Sequence, residues 1–156
     1  MMRLNFTYDG QFYSAFTVED ALAAGIPVSV LAGAAAEDIQ KGIDAAVAQA
    51  RARNATRIDG QDSMYLLKAN EAERYIAAGS PADASDYVLL KTEAEALQIT
   101  PQAQANRVIE ARDSWLAVAA RIEAARIGGK GSLTELATVE AVVAAGESVI
   151  AELDAI

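Results

Sequence analysis

The chain reads as mainly α, a short N-terminal β-hairpin followed by an extended helical bundle of coiled-coil-like helices, and three observations predict this. Of its residues 36 are alanine, the best helix former, and only three are proline, so little interrupts helices. Apolar residues recur at steps of three and four over 29–54, 100–127 and 132–153. Only 3–16 breaks that rhythm, with apolar and polar residues alternating towards a central Asp9-Gly10.

In the hairpin, Leu4, Phe6 and Tyr8 alternate with Asn5 and Thr7, and Phe12, Tyr13 and Phe16 follow the turn. Asp-Gly suits a type I′ turn, which needs positive φ at both central residues. A two-residue loop then sets Phe6 opposite Tyr13 and Thr7 opposite Phe12. Five of the nine aromatics lie in this stretch, on both of its faces, and a lone two-stranded hairpin is marginal in water. Its cover is either the chain's own helices or a neighbouring chain. Thr17 and Asp20 form a capping box that opens a short helix, Val18 to Ala24, stopped at Gly25. Residues 1–27 are thus expected to form a docking element, with Phe6, Tyr8, Phe12, Tyr13 and Phe16 as its interface.

A second helix over 29–54 repeats Ala36, Ile39, Ile43, Ala46, Ala50 and Arg53, a seam made thin by alanine. Within 28–56, a long connecting helix, Ile39, Ile43 and Val47 are expected to join the interface by self-association. Arg51, Arg53 and Arg57 cluster near its C-terminus, where cations complement the helix dipole and are solvated.

Residues 57–156 form the expected helical domain. After a turn-rich break over 58–63, a third helix spans 64–78 with Tyr65, Leu66, Ala69, Ala72 and Ile76 inward, and Gly79-Ser80-Pro81 ends it. A fourth runs from 83 or 85 to 98 with Tyr87, Leu90, Ala94 and Leu97 inward. Thr100 caps the fifth, with Pro101 at its first helical position. Its line passes through Ala105, Val108, Arg112, Trp115, Ala119, Ile122 and Arg126 to a stop at Gly128-Gly129, about 27 residues and ~40 Å long. The last helix starts at Ser132, whose Glu135 completes a capping box, or at Thr138. It carries Leu136, Val139, Val143, Gly146, Ile150 and Leu153 and should fold back on the fifth. Tyr65, Trp115, Ile122, Val139, Val143 and Ile150 are the expected core anchors.

A net charge of −9 argues against duplex nucleic acid as a partner, which would demand clustered positive charge. With no cysteine there are no disulfides or thiolate metal sites, and with no histidine the commonest general base and metal ligand are missing. No enzymatic activity, cofactor or metal is therefore expected. No apolar run nears the ~20 residues of a membrane span and the N-terminus lacks a basic-then-apolar signal, so no membrane partner and intracellular synthesis are expected. Paired carboxylates Glu71/Glu73 and Glu93/Glu95 are two apart and diverge on a helix, while Asp59 and Asp62 lack calcium-loop spacing. Gly128-Gly129-Lys130-Gly131 lacks the strand and the Lys-Ser/Thr pair of a phosphate loop and reads as a hinge. Trp115 reads as a packing anchor.

Arg57-Ile-Asp-Gly-Gln-Asp-Ser-Met-Tyr-Leu-Leu-Lys68 with Glu71-Ala72, then Leu90, Glu93-Ala94-Glu95, Thr100 and Trp115, resembles a pattern in small tail-module proteins of tailed bacteriophages and prophages encoded near tail-fibre genes. Ile122-Glu-Ala-Ala-Arg126-Ile-Gly-Gly-Lys130 is similar to the ending there. The resemblance covers about residues 57–145, departing at Gln98 and Gly131. It implies a structural component at the tail fibre or tail tip, made in the host cytoplasm and then part of the virion, with other tail or fibre proteins as partners. Because fibre proteins are commonly trimeric, it also implies a homo-oligomer, preferably a trimer. The alternative it leaves open is a fibre-assembly chaperone not retained in the virion.

Overall fold

The computed structural model describes residues 2–54 and 61–156, and it has the expected fold class: one antiparallel hairpin, then helices. Arg57 and residues 58–60 of the expected break, Asp59 among them, lie outside the described residues.

Strand β1 (Arg3–Tyr8) pairs with β2 (Gln11–Thr17), Phe6 facing Tyr13 and Thr7 facing Phe12. Asp9 at φ 49° and Gly10 at φ 75° make the turn the dipeptide called for. Between Phe6 and Leu4 the register shifts, so that Leu4 faces Phe16. The extra residue lies at Ser14-Ala15. Ala15 takes φ 57°, its N–H donates to Asn5 Oδ1 at 2.8 Å, and the Ser14 hydroxyl donates to the same oxygen at 3.2 Å. This β-bulge resets the alternation and brings Phe16 onto the face of Tyr13. Phe6 stacks on Tyr13 at 5.0 Å between centroids, and Phe16 meets both edge-on. The bulge therefore divides the aromatics unevenly: Phe6, Tyr13 and Phe16 gather on one face, while Phe12, opposite Thr7 on the other, stands 66% exposed.

Helix α1 (Val18–Ala23) begins where Thr17 Oγ1 accepts the Asp20 N–H at 3.1 Å and donates to its carboxylate at 2.7 Å. It ends in a Schellman motif: Gly25, at φ 80°, donates to Leu22 O, and Ile26 donates to Ala21 O, each at 3.0 Å.

The chain groups into two compact units, one of residues up to Arg53 with 119–156, the other of 54–118. A division at 1–27, 28–56 and 57–156 is not the one its packing draws, because the C-terminal helix returns to the second one.

The first unit holds the hairpin, α1, α2 (Val28–Asn54), the end of α5 (Pro101–Leu133) and α6 (Val139–Asp154). All seven of the largest fully buried side chains among the described residues lie here: Leu4, Leu31, Ile43, Ile122, Leu133, Val142 and Leu153. Helix α5 does not stop at Gly128-Gly129, nor does the run act as a hinge. A Cβ at Gly129 would come within 2.6 Å of Val149 Cγ1, so α6 packs on bare backbone there. That packing offsets the roughly 1 kcal/mol by which glycine disfavours a helix. Gly146 accepts Ile39 in the same way, and Gly42 meets Ile150. Thr138 rather than Ser132 caps α6, its Oγ1 accepting the Ala141 N–H at 3.2 Å; Ser132 donates back to Gly129 O at 2.9 Å. Arg53 donates to Leu153 O at 2.7 Å in the last turn of α6, and Arg51 to Glu123 at 3.1 Å, so these arginines bridge helices. Lys130 pairs with Asp44 at 2.5 Å.

The second unit consists of α3 (Gln61–Ala77), α4 (Val88–Leu97) and the start of α5. Its core is Ala72, Tyr75, Ala84, Leu90 and Ala105, with Tyr87, Val108 and Ile109 against it. Tyr75 donates to Pro81 O at 3.1 Å and meets Tyr87 edge-on at 5.1 Å. Helix α4 starts later than expected because Asp83 accepts the Ser85 N–H at 2.9 Å in a preceding turn. Its N-cap, Tyr87, offers no side-chain bond; instead Glu71 Oε2, on α3, accepts the Leu90 N–H at 2.7 Å.

Candidate interaction surfaces

Ile43 and Val47 are buried within the first unit, and Ile39 is half-buried against Gly146, so the α2 seam expected to face another chain is used by the chain itself. The hairpin is likewise no free docking element. Leu4 and Phe6 are buried, and Tyr8, Tyr13 and Phe16 half-buried, which leaves Phe12 as its one exposed aromatic.

Of the expected core anchors, Ile122 and Val139 are buried, and Val143 and Ile150 half-buried with Val142 in the interior. Tyr65 and Trp115 are corrections, at 48% and 37% exposed. On α3 the inward line is Ala69, Ala72 and Tyr75, which turns Tyr65, Leu66 and Ile76 outward. On α5 the line of Gln104 and Val108 continues through Ala111 to Trp115, but the core against α3 and α4 takes in only Ala105, Val108 and Ile109 of this helix. Leu97, expected inward on α4, is also exposed.

The second unit is thus built inversely to the first. Apart from Tyr75 and Leu90 its buried apolar residues are alanines, whereas it carries nine of the thirteen exposed large apolar residues described: Met64, Tyr65, Leu66, Leu67, Ile76, Val88, Leu97, Trp115 and Leu116. A signal for this was present in Met64-Tyr65-Leu66-Leu67, since four consecutive apolar residues on a helix point to every side and cannot share one core.

The carboxylate pairs are held apart in separate structural bonds. Glu71 caps α4, Glu73 pairs with Arg112, Glu93 pairs with Lys68 and accepts from Gln104 at 2.8 Å, and Glu95 lies 3.9 Å from Lys91. Gln104 Oε1 is buried and finds no donor among the described residues. Arg112 is held above its ordinary pKa by hydrogen bonds to Asp113 and Glu73, and Arg126 by its bond to Glu123. Among the described residues no group of three or more acidic side chains is arranged to hold a metal ion, and no helix is long and apolar enough to cross a membrane.

Fold and surfaces together define a mainly helical chain with one compact unit built from its N- and C-terminal parts and a second unit rich in outward apolar residues. Compared with protein-family models, with curated proteins and with solved structures, the chain matches none.

Proposed function

We propose that this chain is a non-enzymatic structural component of a bacteriophage tail, at or near the tail fibre or tail tip, acting through helix packing and oligomerisation, with a trimer as its preferred state. The observation that carries the structural role is the inverted second unit, with alanine inside and nine large apolar side chains outside. Such a distribution suits a module that completes its core by association, because alanine burial supplies little of the hydrophobic stabilisation. A sequence with neither histidine nor cysteine fits a building role better than a catalytic one. The tail itself as the setting rests on the sequence resemblance over about residues 57–145. The test is a mass-spectrometric inventory of purified particles and of the lysate that produced them. A fixed copy number in particles is expected; presence in lysate with absence from particles would replace this reading with the assembly chaperone.

A further inference from the structure

We propose that Lys68, Glu93 and Gln104 form a polar layer that locks the register of α3, α4 and α5, selecting one packing of the second unit rather than adding to its stability. Gln104 is 7% exposed, the one polar or charged residue buried among the described residues. Its Nε2 donates to Glu93 Oε2 at 2.8 Å, and the other carboxylate oxygen of Glu93 takes the Lys68 ammonium. A single carboxylate thus gathers one side chain from each of the other two helices. The layer is the next turn of the unit's core: Lys68 precedes Ala72 by four residues, Glu93 follows Leu90 by three, and Gln104 precedes Val108 by four. Each spacing keeps the residue on the same face of its helix.

Two observations favour a lock over a stabilising contact. Gln104 Oε1, the other half of the amide, is buried and finds no donor among the described residues. An amide that leaves water for one bond and strands its acceptor gains little, so stability alone does not account for it; a leucine there would bury apolar surface at no such cost. The second observation is what surrounds it. Beside Tyr75 and Leu90 the buried apolar residues of the unit are alanines 69, 72, 84, 94 and 105. Alanine leaves shallow ridges and grooves, which fix register weakly. Slipping α5 by one turn, about 5.4 Å, against α4 would set Val108 in place of Gln104 beside Glu93 and cost the amide its one partner. Alternative packings therefore strand a buried polar group while alanine contacts change little, which is how a polar residue at a coiled-coil seam specifies one register. Holding the helices in one register also fixes which apolar side chains of the unit face outward, Trp115 among them. The lock acts within the unit, whatever the chain assembles with.

The experiment uses the full chain, with proton–nitrogen correlation spectra to read packing and urea unfolding to read stability. Trp115 is the only tryptophan and lies in this unit, so its indole cross-peaks count the slowly exchanging packings. The wild type should show one indole peak and one set of amide peaks. Gln104→Leu removes the amide and keeps the pair of Lys68 with Glu93. It should have a folded-to-unfolded ratio equal to that of the wild type or up to about tenfold higher, with cross-peaks of 61–118 doubled or broadened and those of the first unit unchanged. Replacing the whole layer, Lys68→Met/Glu93→Leu/Gln104→Leu, should keep the helical circular dichroism and lose packing order further. One sharp set of peaks from either variant overturns the lock, because register then holds without it. A less stable or unfolded Gln104→Leu protein overturns it as well, since the amide would then be an ordinary stabilising contact, and so does a wild type with several indole peaks.

Discussion

Replacing Gly146 by alanine puts a methyl group where α6 rests on α2. The added Cβ would run into Ile39 Cγ2, and would lie 3.3 Å from both Ile39 Cβ and Cδ1. The Cγ2 methyl hangs on the β-carbon, and a β-branched side chain on a helix has essentially one χ1 rotamer, so Ile39 has no easy way to swing aside. Two effects oppose each other. Alanine improves helix propensity by about 1 kcal/mol over glycine, whereas forcing an extra methyl into a packed site costs typically 1–3 kcal/mol. With the obstruction this direct the upper part of that range applies, for a net loss of about 1–2 kcal/mol and a Tm lower by roughly 2–8 °C. Gly128→Ala is the control, since nothing lies within 4 Å of its Cβ direction; it should be stabilised by about 1 kcal/mol through propensity alone. The assay is urea and thermal unfolding followed by circular dichroism at 222 nm, because Trp115 lies in the other unit. Ile39→Ala removes the obstructing methyl, so the double variant Ile39→Ala/Gly146→Ala should be more stable than the sum of the single effects by ~1–2 kcal/mol. Ile39→Val keeps the methyl and should rescue nothing. A Gly146→Ala protein as stable as Gly128→Ala would refute the close approach of α6 to α2.

Four further outcomes follow from the same contacts. Glu71→Ala leaves the first turn of α4 uncapped and should cost about 1 kcal/mol, with Glu71→Gln recovering most of it through its amide oxygen, read by Trp115 fluorescence in urea. Deleting residues 1–16 removes buried Leu4 and Phe6, together about 3–6 kcal/mol, and should unfold the first unit; a truncated chain with full helicity would show that the hairpin is dispensable. Hydrogen bonding by Arg126 holds the Glu123 carboxyl below its ordinary value of 4.5, and the Ser85 hydroxyl and N–H hold Asp83 below 3.8. Both are charged more readily in the folded chain, so their contribution is complete above the ordinary values and disappears as pH falls through the depressed ones; the denaturant midpoint should drop from about pH 5 to about pH 3, less steeply in Glu123→Gln. Association of chains carrying −9 each should tighten as salt rises from about 0.01 to about 1 M, which shrinks the Debye length from ~30 to ~3 Å; weakening instead would point to charge-steered contacts.

What the sequence by itself determined lies within a few residues of the chain. The Asp9-Gly10 turn and the pairs on either side of it, the Thr17 box, the Gly25 stop and the Thr100 cap follow from backbone preferences and from side chains that reach their own neighbours. Tertiary structure decided the rest, because those features depend on groups distant in sequence. Glycines 128, 129 and 131, which read as a stop, stay helical within α5, with Val149 filling the space above Gly129. Ala15 takes a left-handed conformation because Asn5, ten residues earlier, accepts its N–H, and the resulting bulge gathers three aromatics on one face. Tyr65 and Trp115 carry as much apolar surface as any core residue. Their exposure follows from the inward turn of α3 being set by Ala69, Ala72 and Tyr75, and from the core of this unit taking in α5 at Ala105, Val108 and Ile109, short of Trp115. Burial is a property of what lies opposite a side chain, and periodicity along one helix specifies a face without specifying its neighbour.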